Sequence, residues 1–468
     1  MKTSASKART VGDLRKSGYK VVSVKTEMRR NLVEKVRREE DLFPGIIGYE
    51  DTVIPQVENA ILAGQDIIFL GERGQAKSRL IRALVNLLDP EIPYIAGCEI
   101  YDNPFAPICR ACRDKAERSG DSVELAWLPR EQRYGEKLAT PDITIADLIG
   151  EVDPIRVAEG RYLSDELTIH YGLIPRTNRG IFCVNELPDL AERVQVGLFN
   201  LLEERDIQIK GYRVRLPLDV YVVASANPED YTNRGRIITP LKDRYGAQIR
   251  THYPRTLEHE MHIMEQERTR VEDVGVKVTT PPYMREIIAE ITTLARRSSD
   301  INQRSGVSVR VSIANFETLT SNALRRAIRC KEEEAVPRVS DLGFLAASTV
   351  GKIEMETVED GSESRTLEGL TKKAVSNVFG RHFTVHEFDD LVRRFEEGLV
   401  IEASDVLPSA EYAQKVSEVP ELAAGVRKLD VGESPAAVAS AVEFVLEGLH
   451  LNRRLNRDRV EGKTRYRG

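Results

Sequence analysis

The sequence predicts an α/β fold in which a parallel β-sheet is flanked by helices and is followed by a mostly helical region. Short apolar runs alternate with helical patterns between residues 46 and 250, which is typical of a parallel sheet covered on both faces. A glycine-rich loop follows the first apolar run, and helical periodicity dominates from about Thr256 onward. Together these three observations favour a sheet-based core that precedes a separate helical part.

Length and composition favour a globular protein of several domains. The chain has 468 residues, of which 41% are hydrophobic and 30% are charged, and one compact core rarely extends over so many residues. The net charge of -6 argues against nucleic acid as a partner. No apolar run reaches the roughly 18 residues of a membrane span, and an odd number of cysteines favours a reducing compartment. We therefore expect a cytoplasmic protein without a membrane span.

The glycine-rich loop has the spacing of a phosphate-binding loop. Residues 71–78 read Gly-Glu-Arg-Gly-Gln-Ala-Lys-Ser, close to the pattern G-x-x-x-x-G-K-[ST]. An apolar strand precedes the loop and an amphipathic helix follows it, which is the context in which backbone N–H groups hold phosphates. The predicted nucleotide-binding residues of this segment are Gly71, Glu72, Arg73, Gly74, Gln75, Ala76, Lys77, Ser78 and Arg79.

Two residues of this segment have specific predicted roles, and a third departs from the pattern. Lys77 is expected to place its charge on the phosphates of ATP, and Ser78 its hydroxyl on Mg²⁺. Ala76 replaces the second glycine of the pattern. An alanine there costs little where φ is negative and more where φ is positive.

A second buried strand carries polar groups to its end. Residues 181–184 are apolar and are followed by Asn185 and Glu186. In the usual motif an aspartate orients the Mg²⁺ shell and a glutamate polarises the attacking water. Asn185 stands in the aspartate position, where its amide can accept a hydrogen bond from a metal-bound water but brings no charge. The alternative interpretation is a core strand that ends in a surface glutamate.

The segments that follow lead to a family resemblance. A helical pattern over residues 190–203, a β-hairpin pattern over 206–216 and a strand over 220–224 are followed by Asn227-Pro228. This succession resembles the core of AAA+ ATPases, with Asn227 placed to hold the attacking water. Residues 241–246, Leu-Lys-Asp-Arg-Tyr-Gly, resemble the L-x-D-R-F-G stretch of the magnesium chelatase ATPase subunit. The resemblance covers about residues 44–330, and MoxR-type ATPases are related to the same group.

The resemblance implies specific roles for residues of this chain. Glu186 is implied to be the catalytic carboxylate and Asn227 the first sensor of the nucleotide. Arg244 is implied to be an arginine finger that reaches the nucleotide of a neighbouring subunit in a homo-oligomeric ring, and Arg310 the second sensor at the start of a lid helix. Ile46 and Ile47 are implied to pack against adenine.

Other interpretations of the arginines remain open. A surface salt bridge to Asp243 is the alternative interpretation of Arg244, and Arg234 and Arg236 are rival fingers.

Three cysteines fall within fifteen residues of one another. Cys109 and Cys112 have the spacing of a metal knuckle, and Cys98 lies shortly before them. A closed zinc site needs a fourth ligand, for which His170 is a candidate. The alternatives are zinc, an iron–sulfur centre or unligated thiols.

Changes of pattern, together with the resemblance, divide the chain into four predicted regions. They are a basic N-terminal extension over residues 1–42, an AAA+ α/β nucleotide-binding core over 43–252, an α-helical lid domain over 253–335 and a mostly helical C-terminal region over 336–468. The basic stretch from Arg453 is expected to form a solvated, partly disordered tail.

The function that the resemblance implies is that of an ATP-driven motor. It would use ATP and Mg²⁺ to remodel a partner protein or to support metal insertion, and a partner with a von Willebrand A domain is expected from the wider family. Two alternatives remain open: a MoxR-type chaperone for the maturation of another protein, and a weakly hydrolysing nucleotide-binding scaffold, which Ala76 and Asn185 would favour.

Overall fold

The computed structural model of this protein contains two compact units, Met1–His252 and Tyr253–Gly468. The structure describes residues 7–153, 155, 158, 166–209, 215–227, 236–269, 274–356, 361–460 and 463–468. The tip of the predicted hairpin at residues 210–214, Pro228 and Arg234 lie outside these residues.

The strands of the first unit are named in chain order. They are β1 (Ile67–Leu70), β2 (Glu91–Ile95), β3 (Leu125–Pro129), β4 (Tyr134–Leu138), β5 (Gly150–Val152), β6 (Ile169–Tyr171), β7 (Gly180–Asn185), β8 (Asp206–Gln208), β9 (Arg215–Pro217), β10 (Val220–Ala226) and β11 (Ala247–Arg250). Five of them form a central sheet in the order β11-β1-β10-β7-β4, in which all neighbours are parallel. Every residue of β7 and β10 is buried, as expected for parallel strands that are covered on both faces.

Helices surround this sheet. They are α1 (Val11–Lys16), α2 (Val24–Arg37), α3 (Val53–Ala63), α4 (Lys77–Ala83), α5 (Arg110–Ser119), α6 (Ile145–Ile149), α7 (Leu173–Arg176), α8 (Glu192–Gly197), α9 (Phe199–Glu203) and α10 (Thr239–Arg244). Alternation along β1 separates two cores. Ile67 and Phe69 pack with residues of α2, α3 and α4, whereas Ile68 packs with the cluster on the other face. The predicted α/β class, a parallel sheet flanked by helices, is confirmed.

Helix α2 belongs to the core of the first unit. Its residues Val24, Met28 and Leu32 are buried against the sheet. Glu27 on the same helix forms a paired hydrogen bond with Arg133, at 2.7 Å for each nitrogen–oxygen pair. These two side chains are only 3% and 1% exposed, so the ion pair ties α2 to the residue that directly precedes β4.

The structure differs from the sequence-based expectations for this unit in three places. One of the apolar runs between residues 46 and 250, at residues 93–96, does not join the central sheet, because β2 pairs antiparallel with β3 in a separate two-stranded sheet. The helical pattern over 190–203 forms two short helices, α8 and α9, instead of one. The sheet also contains β4 and β11, which the sequence did not indicate.

The second unit is mostly helical. Its helices are α11 (Leu257–Glu267), α12 (Pro282–Ala295), α13 (Arg310–Cys330), α14 (Ala346–Thr349), α15 (Ser362–His382), α16 (Asp389–Glu396), α17 (Ser409–Glu418), α18 (Pro420–Lys428) and α19 (Pro435–Leu451), and its strands are β12 (Lys277–Val278), β13 (Glu334–Ala335), β14 (Ile401–Ala403), β15 (Asn456–Val460) and β16 (Lys463–Arg467). One large hydrophobic cluster joins residues from Met264 to Tyr466. Residues on both sides of position 335 therefore share a core.

The C-terminal basic stretch is ordered where the structure describes it. Strands β15 and β16 form an antiparallel hairpin, and β16 also pairs with β14. Tyr466 is buried, and its hydroxyl donates a hydrogen bond of 2.6 Å to Glu447. The expectation of a partly disordered tail is wrong for these residues, because the buried Tyr466 side chain anchors the hairpin to α19.

Within the described part of the chain, no helix is both long enough and apolar enough to cross a membrane.

Candidate nucleotide-binding site

The glycine-rich loop connects β1 to α4 at the carboxyl edge of the sheet. Gly74 adopts φ 77° and Ala76 adopts φ 54°, both in the left-handed region. The Gln75 side chain stabilises the loop. Its oxygen accepts a hydrogen bond of 3.0 Å from the backbone N–H of Glu72 and one of 2.7 Å from the hydroxyl of Thr251, which follows β11. A Cβ atom at Gly71 would lie 1.9 Å from that hydroxyl and 2.3 Å from the Gln75 oxygen, so a side chain there would displace the hydrogen bond between them.

Lys77 is the first residue of α4, and its side chain is buried. Its ammonium group donates to the backbone carbonyls of Gly71 and Glu72, the latter at 2.8 Å, and to the side-chain oxygen of Asn227 at 2.6 Å. The lysine thereby links the loop to the end of β10. A buried ammonium with carbonyl partners lies where an anionic ligand would compete for it.

Glu186 and Asn227 follow two neighbouring strands, β7 and β10. The Asn227 amide donates a hydrogen bond of 2.9 Å to the Glu186 carboxylate. Glu186 itself adopts φ 53°, which is unusual for a residue with a side chain and recurs at functional sites. Because Asn227 also accepts from Lys77, one continuous chain of hydrogen bonds joins the loop lysine, the amide and the carboxylate.

Asn185 contacts a carboxylate that the sequence analysis did not identify. Its amide nitrogen donates to Glu136 on the adjacent strand β4, while its oxygen accepts from the Ser225 hydroxyl at 3.1 Å. Arg82 on α4 also donates to Glu136, at 3.0 and 3.1 Å. Burial opposes ionisation of Glu136, but the contacts with Arg82 outweigh it, so the pKa of this carboxyl lies below its ordinary value. An acidic group therefore stands beside Asn185, one strand away from the expected position.

The remaining predicted binding residues lie around the loop. Arg73, Ser78 and Arg79 are exposed, whereas Ile46 is buried and Ile47 is half-buried. Two residues after Ile47, Tyr49 donates its hydroxyl to the backbone carbonyl of Gln75 at 2.9 Å. Burial raises the pKa of Tyr49 to about 12, so its proton stays in place as a donor to the loop.

Oxygen and cationic groups of this edge suit a magnesium nucleotide. Hydroxyl and carboxylate oxygens are the ligands that Mg²⁺ prefers, and Ser78, Glu136 and Glu186 supply them. Lys77 and the loop N–H groups provide the positive counterpart for phosphates.

Arg244 is held inside its own chain. Its guanidinium donates to Glu203 at 2.6 and 2.9 Å and to the Pro240 carbonyl at 2.8 Å, and it lies 4.6 Å above the centre of the Phe199 ring. The considered salt bridge to Asp243 is thus replaced by one to Glu203. The rival Arg236 is exposed and pairs with Glu192 at 3.4 Å.

Arg310 begins α13 in the second unit and is exposed. The predicted role as second sensor stays a prediction.

The three cysteines near residue 100 come together. Cys98, Cys109 and Cys112 are buried side by side with Asp102, which the sequence analysis overlooked. The considered ligand His170 lies exposed on β6 and is not part of this group. Carboxylates in loops are too common for Asp102 to have been singled out from the sequence.

Comparisons with known proteins show a resemblance to magnesium chelatase subunits. The chain is 27% identical over 230 residues to the magnesium-chelatase subunit ChlI of Nostoc sp., a match that covers 48% of this chain and 58% of the relative. It is 23% identical over 346 residues to the subunit ChlI of Nephroselmis olivacea, with 69% and 92% covered. The match to the Nostoc protein thus spans little more than half of that protein's length.

Solved structures include similar chains as well. A structure of the complex between subunits BchI and BchD of magnesium chelatase aligns at a TM-score of 0.37 and 20% identity, covering 69% of this chain and 98% of that one. No protein-family model matches the chain. The chain resembles the ChlI subunits in sequence, and its own structure has a parallel sheet with a glycine-rich loop after β1.

Proposed function

We propose that this chain is an ATP-hydrolysing motor of the AAA+ type that acts in a homo-oligomeric ring on a partner protein. Because the chain resembles magnesium chelatase subunits, we further propose that ATP hydrolysis drives remodelling of a partner or supports metal insertion by another subunit. In this proposal, metal insertion itself would take place on the partner.

One observation carries this proposal: the chain of hydrogen bonds from Lys77 through Asn227 to Glu186. Three neighbouring parallel strands, β1, β10 and β7, deliver these groups to the same edge of the sheet. A cation for the terminal phosphate, an amide and a carboxylate are therefore joined in one row of hydrogen bonds. This is the set of groups that phosphoryl transfer to water requires.

The role of each group follows from its chemistry. Lys77 would exchange its carbonyl partners for phosphate oxygens and neutralise charge on them. Glu186 would accept the hydrogen bond of the attacking water, and Asn227, bonded to the same carboxylate, would fix that water's position. Mg²⁺, held through the Ser78 hydroxyl, would neutralise charge on the phosphates. Glu136 would supply the negative charge that Asn185 lacks at this edge.

Arg244 is proposed as the group that completes the site of a neighbouring subunit. Its present partners, Glu203 and the Phe199 ring, hold the guanidinium at the surface of the first unit in a fixed orientation. An arginine finger stabilises charge on the transferred phosphoryl group and is worth about 10³–10⁵ in rate. Hydrolysis would then require assembly.

A weakly hydrolysing scaffold is the second candidate function. Ala76 in a left-handed conformation and the uncharged Asn185 both depart from the usual motifs. The two candidates differ in turnover and not in binding.

Phosphate release from ATP with magnesium separates them. Glu186→Gln is expected to lower kcat by about 10²–10⁴-fold while ATP binding persists, because the loss of a positioned base affects only the chemical step. Glu192→Gln is a matched control, since this glutamate is exposed and makes a long surface contact of 3.4 Å with Arg236. Equal turnover in all three proteins would refute the motor and leave the scaffold.

The same Glu186→Gln protein addresses the partner. Loaded with ATP, it is expected to retain its client in a pull-down from the source cell, and a von Willebrand A domain protein is the expected companion. A client found without any porphyrin-binding subunit would favour the MoxR-type chaperone.

A further inference from the structure

A compact group of metal-ligand side chains lies outside the nucleotide site, between β2 and α5. The Sγ atoms of Cys98, Cys109 and Cys112 and a carboxylate oxygen of Asp102 all lie within 4.8 Å of one another. All four residues are buried, with exposed fractions of 7%, 5%, 1% and 0% in that order. The cysteines are free thiols.

The group has unused ligand capacity. Asp102 Oδ1 is completely buried and has no hydrogen-bond partner among the residues that the structure describes, although a buried carboxylate oxygen normally has one. The other oxygen, Oδ2, accepts from the backbone N–H of Cys109 at 3.0 Å, which fixes the carboxylate in place. A buried carboxylate that has an unpaired oxygen and lies beside three sulfur atoms is an arrangement that a bound cation would complete.

The backbone also prepares the sulfur atoms for a negative charge. The N–H of Asp102 donates to Cys98 Sγ at 3.3 Å, and the N–H of Cys112 donates to Cys109 Sγ at 3.4 Å. Cys109 is the N-cap of α5, so the positive end of a ten-residue helix points at the group. Such N–H···S contacts stabilise thiolates, which are the form that binds metals.

We propose that Cys98, Asp102, Cys109 and Cys112 bind one Zn²⁺ in a closed, tetrahedral, structural site. Four protein ligands with no open position are typical of structural zinc, and cysteine with a carboxylate is an accepted donor set. Ligand bonds of roughly 2.0–2.3 Å place tetrahedral donor atoms about 3.3–3.8 Å apart. The observed limit of 4.8 Å therefore needs only a small contraction around the ion.

The spacing and chemistry disfavour the two alternatives that the sequence left open. An iron–sulfur cluster holds its cysteines around a body of several atoms, so their sulfurs lie farther apart than in this group, and its usual site has four cysteines. Unligated thiols would offer the buried Asp102 carboxylate only the weak S–H donor, which compensates less for burial than a cation does.

The site would fasten the segment between β2 and β3 to the first unit. Residues 96–109 contain no long helix or strand, and the β2–β3 pair and α5 flank them. A metal bound by both ends of this segment stabilises a fold that has little hydrogen-bonded structure of its own. The proposal does not depend on ATP hydrolysis.

The test uses the full chain and Zn²⁺. Elemental analysis of the purified protein is expected to give one zinc per chain, and X-ray absorption to give three sulfur neighbours and one oxygen neighbour. Competition with a chromophoric chelator then measures affinity. Cys109→Ser is expected to weaken zinc binding by about 10²–10³-fold, since it removes one of four ligands. Asp102→Asn is expected to weaken binding in the same direction.

Cys330→Ser is the matched control, because this cysteine lies in the second unit and outside the group; it is expected to retain full zinc content. A chain that binds Zn²⁺ no better than its Cys109→Ser variant refutes the proposal, as does a disulfide between two of the three cysteines in thiol titration. The X-ray absorption measurement uses wild-type protein, so misfolding of Cys109→Ser does not affect it. Four sulfur neighbours, or the signature of an iron–sulfur cluster, in that spectrum would overturn the proposed zinc site.

Discussion

Replacing Ala76 with glycine should stabilise the phosphate-binding loop relative to an equivalent replacement in the helix beside it. Ala76 adopts φ 54° and ψ 16°, which is the left-handed region. A side chain in that region costs roughly 1–2 kcal/mol, because Cβ approaches the following carbonyl, and glycine avoids this cost. Ala83, at φ -65° and ψ -23°, has ordinary helical geometry.

The two alanines form a well-matched pair. Both are partly buried against the same hydrophobic cluster, so the loss of a methyl group costs similar free energy in each variant. The extra entropy of glycine in the unfolded chain is also the same in both. The difference between the variants therefore isolates the left-handed conformation, and Ala76→Gly should be more stable than Ala83→Gly by about 1–2 kcal/mol.

Urea unfolding followed by Trp127 fluorescence measures this difference. Trp127 is the only tryptophan in the chain and lies on β3, so its signal reports the first unit alone. With a urea dependence of about 3 kcal/mol per molar, the two midpoints should differ by roughly 0.3–0.7 M. Wild type should lie between them or close to Ala76→Gly, because glycine within a helix costs about 1 kcal/mol. Coincident midpoints, or a lower one for Ala76→Gly, would refute the assigned conformation.

Three further predictions concern charged groups of the first unit. Asn185→Asp places a second carboxylate beside the ionised Glu136, and their repulsion raises the pKa of the pair. Without magnesium, the thermal midpoint of the variant should therefore fall as pH rises from 5 to 8, and Mg²⁺ with ATP should restore it. The same dependence of the thermal midpoint on pH in variant and wild type would contradict the contact. Arg133→Met leaves Glu27 buried without its ion-pair partner and should destabilise the first unit by about 3–5 kcal/mol in the same urea assay. Adding Glu27→Gln should restore part of this stability. A loss of stability below about 1 kcal/mol would argue against the buried pair. Arg244→Ala and Lys77→Ala should each be inactive in ATP hydrolysis. A mixture of the two variants should regain activity, because Arg244 of a Lys77→Ala subunit can complete the intact site of an Arg244→Ala neighbour. No recovery at any mixing ratio would exclude a role of Arg244 in a neighbouring subunit.

The sequence was most informative where a strand carries a motif. Strands β1, β7 and β10 are mostly apolar and end at or just before recognisable polar groups, so their existence could be predicted. Strands β4 and β11 lie at the two edges of the sheet, where one face or one neighbour is missing, and their sequences are mixed in polarity. Pattern alone cannot separate such strands from loops.

Contacts between distant residues were beyond the sequence. Glu136 lies 49 residues before Asn185, and only the parallel pairing of β4 with β7 brings them together. The partner of Arg244 is Glu203 and not the adjacent Asp243, because α9 and α10 pack side by side. In both cases the type of interaction was foreseeable, but the identity of the partner depended on the fold.

The position of Glu136 bears on how the departure at Asn185 should be understood. Glu136 pairs in register with Cys183, two residues before Asn185, so its side chain lies on the face of the sheet that carries α4. There it receives hydrogen bonds from Arg82 of α4 and from Asn185 at the same time. An aspartate at position 185 would repel this carboxylate, whereas an asparagine donates to it. The amide is therefore matched to its neighbour, and the negative charge of this edge has moved one strand outward. Loss of hydrolysis in Glu136→Gln, with ATP binding retained, would show that the displaced charge serves the chemistry; unchanged turnover would mean that Glu136 serves only to anchor α4.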